Sequence, residues 1–311
     1  MAAEDYVTRA GRGSADARIR DAQTLESAAS GRSLHRDEVR GGEITRTWQD
    51  PHVRNVFEPV REQVLRFCAR DPVERVYLED VARRGHGHFA AVGDNGELGG
   101  LCHLGTNLVP SGEGCAAFAE LAIRTGARLV IGEERAVSEL WQAAAKRMPR
   151  VREDRPGQPV FAIAATPPSG DSGLRPAVVD DLDLLVPACA ASHVEELGVD
   201  PLRRDPDGFR WRTRVQIDEG RSWLWEHEGV IRFKAEASAW TPSAVQLSQV
   251  WVDPEARRRG YATRALADLI RLLLEEVPTV CLFVRRENLA AIGLYEKVGM
   301  QRVLTYRSVL L

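Results

Sequence analysis

The chain has 311 residues, 44% hydrophobic and 28% charged, with a formal net charge of −3. That length accommodates two ordinary domains, and the near-neutral balance supplies no basic field for nucleic acid. No run approaches the roughly 18–20 apolar residues a membrane-spanning helix needs, and five cysteines without a CxxC pair argue against a disulfide framework or a zinc site.

The opening MAAEDYVTRAGRG has acidic side chains and no apolar core, unlike a secretory signal, so a reducing, cytoplasmic setting is expected. Residues 1–46 carry few large apolar side chains and predict a flexible tail, with a short helix near Asp16–Ala29. Order is expected from about Trp48. Val53–Ala69 has apolar residues at helical spacing, and Asp71-Pro72 opens a second helix. His88–Val92 and Leu98–Leu104 flank Gly93-Asp94-Asn95-Gly96, a hairpin signal. A helix at Ala116–Thr125, a strand at Arg128–Gly132, a helix at Glu134–Met148 and a closing strand at Val160–Ala164 follow. Residues 166–173, rich in Pro, Gly and Ser without apolar period, read as a linker.

Beyond it come a strand at Leu174–Val178 and helices at Asp180–His193 and Phe209–Glu219. Ser222–Glu226 and Val230–Ala239 form a second hairpin. Val245–Val252 is a strand, Glu255–Glu276 a long helix, Thr279–Val284 a strand, Leu289–Val298 a helix and Arg302–Leu310 the last strand. The two halves repeat one order of elements. The expected fold class is mixed α/β (α+β): two similar domains, 47–165 and 174–311, each a mostly antiparallel twisted sheet flanked by helices.

One stretch carries chemistry. In Gln246–Leu266 a strand ends at Val252, Asp253-Pro254 breaks it, and a helix follows Arg257-Arg258-Arg259-Gly260-Tyr261-Ala262. Unpaired N–H groups at a helix start suit a pyrophosphate. Gly260 lets backbone approach phosphate, and the arginines add charge. A second stretch, Asn288 to Met300 (NLAAIGLYEKVGM), lies at a fixed distance downstream, with a strand between.

Together these resemble the GNAT acyltransferase superfamily: V-x-V-x-P-x-x-R-x-x-G-x-G/A before a helix, then N-x-x-A-x-x-L-Y-x-K-x-G-F. Ala262 replaces the commoner Gly, and Met300 the commoner Phe. From Trp48 onward the chain is similar to a two-domain, actinobacterial-type layout in which a domain of unknown function precedes the GNAT domain. The layout is also similar to mycothiol synthase, with tandem GNAT-like halves. The resemblance implies acetyl-CoA as acyl donor, an amine acceptor (small molecule or protein amine), no metal and no membrane, in a monomer or homodimer. It implies that Val250, Trp251 and Val252 line the pantetheine arm and thioester. Arg257, Arg258, Arg259, Gly260, Tyr261 and Ala262 would hold the pyrophosphate, with Asn288 nearby. Tyr295 would protonate the leaving thiolate; the alternative is a core aromatic on an amphipathic helix.

For the base the candidates are Glu236 and Glu196, with Glu195 and His193 beside the latter. Lys234 could pair with Glu236. Trp223 and Trp225 share a strand face, lining an acceptor pocket or packing the sheet. In the first half, Leu129–Arg135 (LVIGEER) occupies the place expected for a phosphate loop but lacks its basic spacing, so that half is expected to be non-catalytic. His86, His88 and His103 lack the spacing of a metal site. Two readings compete with N-acetyl transfer: a non-catalytic acyl-CoA sensor or scaffold, and transfer from another acyl donor.

Overall fold

A computed structural model describes residues 56–94 and 96–311, all within one compact unit. The tail expected over 1–46, with its short helix, lies outside the described residues. In the first half the strands are β1 (Val56–Phe57), β2 (His88–Asp94), β3 (Glu97–Leu104), β4 (Asn107–Gly112), β5 (Leu129–Glu133) and β6 (Glu153–Ile163). Its helices are α1 (Arg61–Cys68), α2 (Val76–Arg83), α3 (Ala119–Arg124) and α4 (Glu134–Ala144). The second half has β7 (Arg175–Pro176), α5 (Leu182–Leu197), α6 (Pro201–Arg204), α7 (Pro206–Asp218), β8 (Ser222–His227) and β9 (Val230–Trp240). It continues through β10 (Val245–Val252), α8 (Tyr261–Leu274), β11 (Val280–Phe283), α9 (Leu289–Lys297) and β12 (Gln301–Leu310). The fold is mixed α/β around a mostly antiparallel sheet.

Several segments differ from expectation, among them the strand expected at Val160–Ala164, which starts at Glu153, and the short helix α6, which was not expected. The helix read over Val53–Ala69 is split, with β1 first and α1 starting only at Arg61. Pro59 explains this, since it lacks an N–H and bars the preceding residue from helical dihedrals. Strand β4 went unread because Pro110 sits in it, yet Cys102 and Pro110 are partners across β3 and β4. The long helix read from Glu255 is a single 3-10 turn at Pro254–Ala256, then a bend, then α8. Arg258 (φ 61°) and Gly260 (φ 85°) are both left-handed there, which no continuous helix allows.

All twelve strands of the described residues join one sheet, in the order β1-β2-β3-β4-β5-β12-β6-β11-β10-β9-β8-β7. The two halves repeat each other: β4 pairs in parallel with β5 at only two positions, and β10 with β11 at only two. The last strands interleave. β12 lies antiparallel between β5 and β6, and β6 lies antiparallel between β12 and β11.

Helix α8 packs by its apolar stripe. Ala265, Leu266, Ala267, Leu269, Ile270 and Leu273 are buried against β8–β11; each fully buried Leu or Ile stabilises by about 1.5–3 kcal/mol. The opposite sheet face is covered by α5 and α7 through Leu185, Val186 and Ile217 against Leu224 and Ile231. The first half packs onto the second where Val76 of α2 meets Ala239, Ala244 and Cys281. The segment read as a linker is tied down: Asp268 of α8 accepts from the Gly170 and Ser172 amides at 2.7 and 2.8 Å.

Candidate active site

Strand β10 leaves β11 after Gln246↔Cys281. Its pairing with β9 then slips, from Ser248↔Glu236 to Trp251↔Lys234, so one extra residue bulges out. Gln249 takes up the slip at φ 51°, a left-handed conformation rare outside glycine. The backbone of Val250–Val252 thereby diverges from β11, opening a V in the sheet.

A cleft of about 970 Å³ opens at the V. It brings together Val250, Trp251, Asn288, Tyr295 and Glu196, five of the residues singled out in sequence. Tyr295 is 5% exposed, and its ring packs edge-on against Phe161 at 5.5 Å. Burial pushes its phenol well above the ordinary value, and the Glu196 charge adds to this. It therefore stays protonated, a donor, throughout the neutral range. Asn288 caps α9, its side chain accepting from the Ala291 amide at 3.1 Å.

Val252 and Arg257–Ala262 do not line this cleft; they follow it along the chain to the start of α8. No side chain caps that helix, so its first amides keep their donors for a ligand. A Cβ built on Gly260 would meet nothing closer than the Arg264 Cδ at 4.0 Å, so the loop faces open space. Arg257 is drawn away from it: both Glu195 oxygens accept from its Nη2 at 2.7 Å. Arg258 and Arg259 are exposed and form no ion pair among the described residues. Tyr261 packs on Trp225 at 4.6 Å, with Arg264 over the same indole. Trp223 is 2% exposed and stacks on Trp240, so both tryptophans of that strand belong to the core on the α8 face.

Glu236 lies elsewhere, in an adjoining cleft of about 700 Å³ between α5, α7 and the bulge. Lys234, with no exposed surface, donates to Glu236 at 2.5 Å and to the Cys189 sulfur at 3.1 Å. Burial opposes the ammonium, but Glu236 and Cys189 outweigh it and raise its pKa. Burial likewise pushes the Cys189 thiol up to about 12. Glu196, exposed, accepts from the Gln249 amide at 2.5 Å. His193 and Gln249 line both clefts. Burial lowers the His193 pKa, partly offset by Glu196.

Sequence reasoning passed over Gln249 and the arginines of the first half, Arg128, Arg152 and Arg155, which form the far wall of the larger cleft. In the first half, the counterpart of the α8 loop is not Leu129–Arg135. It is Gly112–Cys115, between β4 and α3. That loop is closed: the Glu113 amide bonds Gly99 O at 2.9 Å, and a Cβ on Gly112 would lie 2.4 Å from the same oxygen. His103 is buried, its Nδ1 3.0 Å from Asn107 O, with Tyr77 and Phe89 edge-on to the ring. Among the described residues no group of three His, Cys, Asp or Glu could hold a metal ion.

Two family models match. A domain of unknown function (DUF4081) matches residues 87–185 and the acetyltransferase (GNAT) family residues 190–300. No curated protein sequence matches. Among solved structures, the chain is similar to a GCN5-related N-acetyltransferase from Sphaerobacter thermophilus, at 16% identity, TM-score 0.53, covering 82% of this chain and 94% of that one. It is also similar to a GNAT-family acetyltransferase from Colwellia psychrerythraea, at 12% identity, TM-score 0.51, covering 82% and 99%. A Drosophila protein matches at 15% identity, TM-score 0.57, covering 87% and 99%. At such identities these likenesses carry the fold alone. With the splayed β10 and β11, the uncapped start of α8 and the family match in agreement, residues 190–300 are a GNAT-family acetyltransferase domain, preceded by a DUF4081 domain.

Proposed function

We propose that the protein transfers an acetyl group from acetyl-CoA to a primary amine. The observation that carries this reading is the V between β10 and β11, with the buried Tyr295 phenol at the same cleft. The residues fit the donor. Free strand edges at Val250–Val252 suit the pantetheine arm as an added strand, and an amide there would stabilise charge on the thioester oxygen. The uncapped first turn of α8, with Arg258 and Arg259, suits the pyrophosphate. Arg257, engaged by Glu195, serves instead to fix the turn.

Amine attack on a thioester expels a thiolate, and Tyr295 supplies the proton it needs. The amine's own proton goes to His193, with the Glu196 charge supporting the imidazolium. Glu236 acts as the fixed counter-charge of Lys234. The first half, residues 56–165, contributes a cleft wall rather than a second acyl-CoA site.

Thiol release from acetyl-CoA with a panel of amines tests the reading. Tyr295→Phe should lower kcat by about 100-fold or more while leaving the acetyl-CoA Kd nearly unchanged. Tight acetyl-CoA binding without turnover on any amine would sink the enzymatic reading in favour of a sensor.

A further inference from the structure

Five arginines converge on the larger cleft. Arg128 and Arg152 come from the loops entering β5 and β6, Arg155 from β6, Arg204 from α6, and Arg285 from the end of β11. Three side-chain carboxylates share the lining, and each accepts a hydrogen bond from a side chain outside the five arginines. Glu195 is gripped by Arg257, Glu287 pairs with Arg286 at 2.6 Å, and Glu196 accepts from Gln249. One further carboxylate, Glu153, sits among the arginines, 2.6 Å from Arg155 and 3.5 Å from Arg285. The Arg155 hydrogen bond, with the charges of Arg155, Arg285 and Arg152, holds its carboxyl below the usual range. A single side-chain carboxylate pairs with two of these guanidinium groups and feels the charge of a third, so side-chain negative charge is scarce along the wall.

The shortage reaches buried atoms. The Arg155 side chain is only 10% exposed. Its Nε, and that of Arg285, are buried without a hydrogen-bond partner. Both arginines donate an Nη2 to the Glu196 carbonyl at the end of α5. That contact satisfies one donor of five in each group. Desolvated cationic donors without acceptors are costly, and a bound oxyanion would offset that cost by bidentate pairing.

We infer that the acceptor amine carries a second, anionic group, a carboxylate or a phosphate, which this arginine wall holds while the amine faces His193 and Tyr295. The inference rests on the acetyltransferase reading and narrows its substrate class. The wall comes largely from the first half of the chain, giving that half a role in selecting the acceptor.

Four amines separate the cases: 4-aminobutyrate (carboxylate), phosphoethanolamine (phosphate), and neutral ethanolamine and butylamine. Charge-assisted pairing predicts that one anionic amine exceeds the neutral ones in kcat/KM by about 10- to 100-fold. Arg155→Gln and, at an exposed position, Arg128→Gln should raise KM for that amine rather than for acetyl-CoA. Arg155→Lys should restore part of the preference. Equal use of neutral amines overturns the inference and leaves the acetyltransferase reading standing. So does a rise in KM for acetyl-CoA instead, which would assign the arginines to the coenzyme's phosphates. So does a loss of stability without a change in preference, which would make them caps of α5. If no amine turns over, the acetyltransferase reading falls. Calorimetry with the two anionic amines in the presence of CoA then decides the site alone: binding weakened by Arg155→Gln supports it, and no binding overturns it.

Discussion

Lys234 has no exposed surface, and its two contacts are the Glu236 carboxylate and the Cys189 sulfur. If Glu236 took up an acceptor's proton, the ammonium would lose its counter-charge where water cannot reach it. That argues against Glu236 as the base and turns attention to His193, which lines both clefts. A base must be unprotonated to act, and the lowered pKa of His193 keeps it neutral over a wider range. The acid limb of kcat/KM should therefore fall below the ordinary imidazole value of about 6.5. His193→Gln should abolish that limb and lower kcat/KM by about 100-fold; an unchanged pH profile would return the role to Glu196. Tyr295 and Asn288 were legible in sequence because a helix start and a fixed spacing carry them. The left-handed Gln249 was not. Nothing in its type announces a positive φ, which the bulge against β9 imposes from outside.

Helix α2 of the first half is locked onto the second by charge as well as by Val76. Asp80, 5% exposed, accepts from Arg221 at 2.8 and 3.1 Å, and Arg84 pairs with Glu219 at 2.7 Å. The two pairs differ in consequence. Arg221 is 12% exposed, and removing it leaves a buried carboxylate with only the weaker 3.3 Å contact to Arg84. Arg221→Met should cost about 3 kcal/mol. Arg84 is a third exposed, so Arg84→Met should cost less than about 1 kcal/mol. Chemical denaturation of the two variants measures both, and equal losses would contradict the burial argument. This lock could not be read from the chain, because Asp80 and Arg221 are distant in sequence and neither stands in a recognisable pattern. The helices themselves were legible where an apolar stripe runs uninterrupted, as in α8. They were misjudged where a proline or a left-handed residue cut the stripe, as at Pro59 and Arg258.

The interleaved strands join the two halves in one sheet. Since β12 runs antiparallel to both β5 and β6, β5 and β6 are parallel to each other and one strand apart. By the same reasoning β11 and β12 are parallel and separated by β6. Each half alone therefore contains a gap one strand wide, spanning about 10 Å between its last two strands, which only the other half's final strand fills. The repeated order of elements was visible in sequence and suggested two similar domains. Strand order was not visible, because β6 and β12 each read as an ordinary closing strand of their own half. A fragment of residues 56–165 or 174–311 would leave the facing backbone edges of that gap unpaired, along with the apolar side chains beside them. Expressed singly, each fragment should lack a cooperative thermal transition and self-associate. Co-expressed, they should copurify as a one-to-one complex with a single transition near that of the intact chain. The measurements are calorimetry and size-exclusion chromatography. A fragment that melts cooperatively as a monomer would mean that its last strand can close against its own neighbour, and that the interleaving is not needed for either half to fold.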